Sequence, residues 1–112
     1  MMSGTNEQPM SYRRALLAFG NGDFGRGQQA LFMLARRLEE ARRKHPVFAG
    51  DRFEAVRVIS CEFHELCYAV THESPDRQLD EALDVATTAM RFVNREHMRP
   101  VKRGQDGRKA KR

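Results

Sequence analysis

Helix-breaking residues divide this chain into segments that each carry the apolar spacing of an α-helix. The breaks that matter most are three prolines: Pro46, Pro75 and Pro100. They leave three long segments, at residues 28–44, 51–72 and 77–96. In the first segment the apolar residues Leu31, Leu34 and Leu38 recur three and four positions apart, opposite a charged face. Because no segment alternates with a period of two, the sequence predicts an all-α protein.

The ends of the chain and its length define the organisation of this fold. Ser11 is a candidate N-cap for a short helix over Tyr12–Phe19, and Asp51 is a candidate N-cap for the second long helix. We expect one helical bundle over residues 1–98, with a flexible N-terminus over residues 1–10. A chain of 112 residues buries a small core, and the apolar arc of the third long helix exceeds what one neighbouring helix covers. Oligomerisation is therefore expected to complete the bundle.

The positive charge of the chain is concentrated at its C-terminus. The net charge is +5, but residues 99–112 carry +6 by themselves, which leaves the rest at −1. We expect this basic tail to be disordered, and it is the one place where a nucleic-acid contact is expected. No apolar run is long enough for a membrane span, and no signal peptide is evident. Cys61 and Cys67 lie too far apart on one helix for a disulfide, which favours a cytoplasmic protein.

Two motifs in the sequence lack the context that their chemistry needs. Gly20, Gly22 and Gly25 match G-x-G-x-x-G, but a dinucleotide site also needs a preceding strand, and a helical segment precedes them. We interpret these glycines as an irregular connector. Cys61 and Cys67 point in different directions around one helix and cannot close on one zinc ion. Cys67 is expected to be a half-buried thiol.

Two carboxylate pairs are the strongest candidates for chemistry. Glu62 and Glu65 lie three residues apart in the second long segment, and Glu81 and Asp84 repeat this spacing in the third. Each pair borders a predicted apolar stripe. If the two helices pack antiparallel, the four carboxylates face each other, and their repulsion calls for hard cations such as Mg²⁺ or Mn²⁺. Acids at this spacing are also common as solvated surface residues, so the simpler interpretation remains open.

Cationic side chains continue the stripe of Glu81 and Asp84. Arg91 and Arg95 follow on the same predicted face and are candidates for binding the phosphates of a substrate. The alternative is that both arginines pair with acids on their own helix or on a partner chain.

The order E-x-x-E, a spacer of 15 residues and E-x-x-D resembles the motif of the MazG-like, all-α NTP pyrophosphohydrolase superfamily. This superfamily includes dimeric dUTPases and phosphoribosyl-ATP pyrophosphohydrolase. The resemblance covers about residues 50–98. The family's motif begins with two consecutive glutamates, whereas Cys61 stands at the first of these positions. Cys61 is expected to point away from the four acids, so the glutamate that the family has at this position can be replaced by cysteine without removing a metal ligand.

This resemblance implies hydrolysis of a nucleoside triphosphate to a monophosphate and pyrophosphate. It implies Mg²⁺ or Mn²⁺ bound by Glu62, Glu65, Glu81 and Asp84, with Glu62 and Glu65 as the catalytic carboxylates. It also implies a homodimer or a homotetramer. The alternative is a non-catalytic helical interaction module whose basic tail contacts nucleic acid or an acidic partner.

Overall fold

The part of the chain that the structure describes consists of α-helices joined by turns and one longer connector, at residues 45–51. The structure is a computed structural model that describes residues 10–98. It contains α1 (Tyr12–Phe19), α2 (Phe24–Lys44), α3 (Arg52–His72), α4 (Pro75–Val93) and a turn of 3₁₀ helix (Glu96–Met98). Within these residues there is no strand, and the predicted all-α fold class is confirmed. Most of the predicted N-terminal segment and the whole predicted basic tail lie outside the described residues.

The helix N-termini follow the predicted capping chemistry. The side chain of Ser11 accepts a hydrogen bond from the backbone N–H of Arg14, and Asp51 accepts one from that of Glu54. Ser74 caps α4 in the same way, with Pro75 in the first turn, where a missing N–H costs nothing. Each such cap contributes about 1 kcal/mol.

Three predicted helix bounds are wrong. α2 begins at Phe24 rather than at residue 28, so it takes in Gly25 and Gly27. α4 begins at Pro75 rather than at residue 77, and it ends at Val93 rather than at residue 96. The earlier end follows from Arg95, whose φ of 59° is left-handed and cannot continue an α-helix.

The chain divides into two compact units at the boundary between Ala35 and Arg36, within α2. The single domain expected over residues 1–98 stays a prediction. In the first unit, α1 and the start of α2 meet at Leu16 and Gly27. A Cβ built on Gly27 would lie 1.7 Å from the carbonyl oxygen of Leu16, so glycine is required for this approach. Leu16 is almost completely buried there.

The second unit is built around the pair of α3 and α4. The short turn between His72 and Pro75 reverses the chain, so the two helices pack as an antiparallel hairpin. At one end, Phe48, Ala49 and Ala55 form a small hydrophobic cluster, with Val58 and Phe92 packed against it. Apart from Ala69, the other buried residues of this unit are polar or charged.

The apolar stripes predicted to form the core are instead largely exposed. On α3, Phe63 and Val70 are each more than half exposed, and on α4 Leu79 and Val93 are exposed as well. The buried residues of α4 are polar: Glu81, Thr87 and Arg91. The prediction named the wrong face of α4, because polar and charged side chains occupy the side of α4 that is buried.

Candidate metal centre

A cavity of about 600 Å³ lies in the second unit, between the end of α2, the connector after it, α3 and α4. Its walls are charged with both signs. Its acids are Glu40, Glu62, Asp80, Glu81 and Asp84, and its cations include Arg37, Lys44, Arg77 and Arg91. The cavity is therefore suited to a ligand that itself combines charges of both signs.

Three of the four predicted metal ligands converge at this cavity. Glu62 of α3 faces Glu81 and Asp84 of α4, and one carboxylate oxygen from each lies within 4.8 Å of the others. The spacing of three residues places Glu81 and Asp84 on adjacent turns of one face. Glu62 comes to the same place because α3 and α4 are antiparallel neighbours.

Glu65 stands beside this trio but does not belong to it. Its side chain is exposed and does not line the cavity. It nevertheless lies close to Glu81, and its negative charge raises the pKa of Glu81, as does the hydrogen bond that the two groups share when one is protonated. The structure thus places all four predicted acids on one side of the hairpin, with Glu65 next to Glu81.

The crowding of these carboxylates raises two pKa values. Burial raises the pKa of Glu62 above its ordinary 4.5, and the charges of Glu65, Asp84 and Glu81 raise it further. Burial also raises the pKa of Glu81, and Glu65 and Asp84 act in the same direction against the opposing effect of Arg77. In the protein without a metal, the negative charges of Glu62 and Glu81 are thus held at a cost to stability.

Two arginines offset part of this repulsion. Arg37 of α2 donates from Nη1 to Asp84 at 2.6 Å and from Nη2 to Asp80 at 3.2 Å. Arg77 donates from Nη2 to Glu81 at 2.5 Å and from Nη1 to Asp80 at 3.3 Å. Neither arginine is among the site residues predicted from the sequence. The spacing of four residues between Arg77 and Glu81 could have indicated the second pair, but no local pattern joins Arg37 to Asp84.

The predicted phosphate ligands Arg91 and Arg95 have other surroundings. Arg91 lines the cavity, but its side chain is 4% exposed and donates from Nε to Glu96 at 2.6 Å. Its Nη2 donates to the backbone carbonyl of His45, and its guanidinium lies over the ring of Phe48. Arg95 follows the end of α4, is exposed and does not line this cavity. The structure therefore does not bring the two arginines together at the acids.

The other candidate residues take no part in the cavity. Cys61 and Cys67 are both exposed and free, so the expectation of a half-buried Cys67 was wrong. The thiol of Cys67 lies on the outer side of α3 because the inner side is taken by Glu62 and Ala69. The predicted connector is shorter than expected: Gly20 ends α1, Gly22 has a φ of 91° in the turn, and Gly25 already belongs to α2.

The chemistry of the three carboxylates fits a hard divalent cation. Oxygen ligands alone, from three acids, favour Mg²⁺ or Mn²⁺ over zinc or copper. Two polar atoms at the cavity are buried without a hydrogen-bond partner among the described residues, namely Oε1 of Glu81 and Oγ1 of Thr87. A buried carboxylate oxygen without a donor is costly, and a cation or its water shell would satisfy it.

Comparison of the chain with protein-family models, with curated proteins and with solved structures finds no match. Every helix among the described residues is too short or too polar to cross a membrane.

Proposed function

We propose that this protein is a metal-dependent nucleoside triphosphate pyrophosphohydrolase. The observation that carries the proposal is the convergence of Glu62, Glu81 and Asp84 from two antiparallel helices. These acids are three of the four that the resemblance to the MazG-like superfamily selects. The unpartnered Oε1 of Glu81 supports a cation at this place, because it is the one buried carboxylate oxygen of the trio without a donor among residues 10–98.

In this proposal the chain binds the metal and directs a water molecule. Glu62, Glu81 and Asp84 hold Mg²⁺ or Mn²⁺, which when bound neutralises charge on the triphosphate and polarises a phosphoryl oxygen. Glu65, exposed beside Glu81, orients the attacking water and accepts its proton. The water oxygen bonds to the α-phosphorus, and the bridging oxygen leaves with pyrophosphate in line with the attack.

The activity is tested by product analysis with matched variants. Nucleoside monophosphate and pyrophosphate are measured over canonical and modified NTPs and dNTPs, with Mg²⁺ or Mn²⁺ and with a chelator. The wild type and the exposed-acid control Glu39→Gln are expected to turn over a substrate, and Glu62→Gln and Asp84→Asn to lose most of this turnover. Equal rates for the wild type, Glu62→Gln and Asp84→Asn would overturn the proposal, as would the absence of metal-dependent hydrolysis.

The proposal includes a homodimer or homotetramer. Val56, Phe63 and Val70 of α3 recur every seven residues, and each is more than half exposed. Ile59 and Leu66 lie between them at the intervening heptad positions. An exposed stripe with this repeat is complementary to a second copy of itself, because apolar side chains at such positions interdigitate between two helices. The small hydrophobic core of the second unit adds a thermodynamic reason for such pairing.

A non-catalytic interaction module is the second candidate. It is favoured by the arginine partners of Asp84 and Glu81, since a paired carboxylate needs no metal. The two functions differ in their response to Mg²⁺. The enzyme is expected to melt at a higher temperature with millimolar Mg²⁺, because a ligand that binds only the folded state stabilises that state. The melting temperature of an interaction module is expected to be the same with and without Mg²⁺. The exposed free thiols of Cys61 and Cys67 fit the reducing cytoplasm for either function.

A further inference from the structure

Asp80 links the two arginines that reach the candidate metal ligands. Oδ1 of Asp80 accepts from Nη2 of Arg37, and Oδ2 accepts from Nη1 of Arg77. The backbone carbonyl of Asp80 also accepts from Nη1 of Arg37, at 3.1 Å. Each guanidinium therefore has one nitrogen on the side chain of Asp80, while another bond leads to Asp84 or Glu81. Asp80 does not belong to the converging trio itself.

We propose that Arg37 and Arg77 are exchangeable partners of the site: they pair with Asp84 and Glu81 before the metal binds, and bind the phosphates of the substrate afterwards. Asp80 is the positioning residue that keeps both guanidinium groups at the cavity during this exchange. This inference rests on the proposed function, since it assigns the substrate-binding groups of the same site.

The charges at the cavity favour such an exchange. A divalent cation on Glu81 and Asp84 takes over the neutralisation that the arginines provide, so the two ion pairs lose most of their strength. A bound cation also repels the nearby guanidinium groups. The bonds to Asp80 are unaffected, and they keep the arginines within reach of a triphosphate. Arginine suits this role because its planar group offers several donors and can hold a carboxylate and a phosphate at once.

The surroundings provide independent support for a ligand at this place. Thr87 is 2% exposed and lines the same cavity, one turn from Asp84, and its hydroxyl oxygen has no partner among the described residues. A buried hydroxyl without a partner indicates that a polar group belongs next to it. Arg77 also has the freedom to move, because half of its side chain is exposed.

The inference is tested by two affinities that respond in opposite directions. Mn²⁺ binding is measured by electron paramagnetic resonance, and binding of inorganic pyrophosphate is measured by calorimetry at saturating Mg²⁺. Arg77→Gln and Arg37→Gln are compared with Arg57→Gln, an exposed arginine of α3 with no ion pair in the described part of the chain. Arg77→Lys keeps the charge and controls for its loss, and thermal melts report on folding.

We expect the glutamine variants at positions 77 and 37 to bind Mn²⁺ severalfold more tightly than Arg57→Gln. We expect them to bind pyrophosphate about tenfold more weakly, as the loss of a charge-assisted phosphate contact predicts. Asp80→Asn should weaken pyrophosphate binding while leaving the Mn²⁺ affinity within a factor of about two. Unchanged pyrophosphate binding in these variants would overturn the inference while leaving the proposed function intact. Absence of Mn²⁺ binding in the wild type would overturn both.

Discussion

Arg91 donates a hydrogen bond from Nε to Oε1 of Glu96 at 2.6 Å, and the two side chains are only 4% and 7% exposed. Glu96 also accepts two bonds from Arg42 of α2. Although burial alone would raise the pKa of Glu96, the hydrogen bonds from Arg42 and Arg91 lower it below its ordinary value. This network ties the end of α4 to the end of α2 in the second unit. It gives Arg91 the ion-paired role that the sequence offered as the alternative to phosphate binding, although Glu96 lies beyond the end of α4.

The first prediction concerns this buried pair. Glu96→Gln removes the negative charge that Arg91 faces. The buried guanidinium of Arg91 then keeps only uncharged neighbours, including the carbonyl of His45 and the ring of Phe48. We expect the free energy of unfolding to fall by about 3 kcal/mol, as for other broken buried ion pairs. Chemical denaturation measures this loss, with the exposed Glu39→Gln as the matched control. Equal stability of the two variants would contradict a structural role for the pair.

The second prediction is that substitutions of two acids of the candidate metal centre change the stability of the metal-free protein in opposite directions. Among the described residues no cation pairs with Glu62, so Glu62→Gln removes repulsion and should raise the melting temperature of the metal-free protein. Asp84→Asn breaks the bond from Arg37 and should cost about 1 kcal/mol. Both variants should lose the stabilisation by Mg²⁺. Melts in chelator and in Mg²⁺ measure the two effects, and a decrease for Glu62→Gln in chelator would contradict the repulsion.

The sequence predicts features that depend on neighbouring residues, but not contacts between distant ones. The caps at Ser11 and Asp51, the helical segments and the carboxylate pairs follow from neighbouring residues, and the structure contains each of them. The inward face of α4 was not predictable in the same way. An apolar stripe indicates a buried surface but does not say whether the partner belongs to the same chain. The bond between Arg37 and Asp84 joins distant positions, so no spacing rule gives it.

The third prediction is the pH dependence of stability without metal. Burial and neighbouring carboxylates raise the pKa of Glu62 and Glu81, so above 4.5 the folded state binds more protons than the unfolded state. The free energy of unfolding should therefore fall as the pH rises from 4.5 through the raised pKa values of Glu62 and Glu81, and it should stay reduced at neutral pH. Glu96 acts in the opposite direction, because its stabilisation is lost as the pH falls through its lowered pKa.

Melts in chelator between about pH 4 and pH 8 measure this profile, with a decline expected from pH 5 toward neutral pH. Saturating Mg²⁺ should remove the decline toward neutral pH, and Glu62→Gln should reduce it. A stability that rises steadily from pH 5 to pH 7 in the metal-free protein would contradict the interpretation.

The fourth prediction concerns the exposed stripe of α3. Phe63 is 52% exposed at its centre, so Phe63→Glu would place a charge between two copies while disturbing little within one chain. We expect the wild type to be a dimer or larger at micromolar concentration and Phe63→Glu to shift it toward the monomer. His64→Glu, exposed one position away on α3, is the control for added charge. Light scattering gives the mass of each species, and a monomeric wild type would contradict the assembly.

The last prediction compares two glycines of α2 that differ in their surroundings. A Cβ on Gly27 would meet the backbone of Leu16 at 1.7 Å, whereas a Cβ on Gly25 would find its nearest contact at 3.5 Å, on the side chain of Asp23. Gly27→Ala forces α1 and α2 apart within the first unit and should destabilise it by more than about 2 kcal/mol. Gly25→Ala lowers the entropy of the unfolded chain at a helical position and should stabilise by about 0.5 to 1 kcal/mol. Circular dichroism melts of the two variants measure the difference, and equal melting temperatures would mean that Leu16 and Gly27 do not touch in solution.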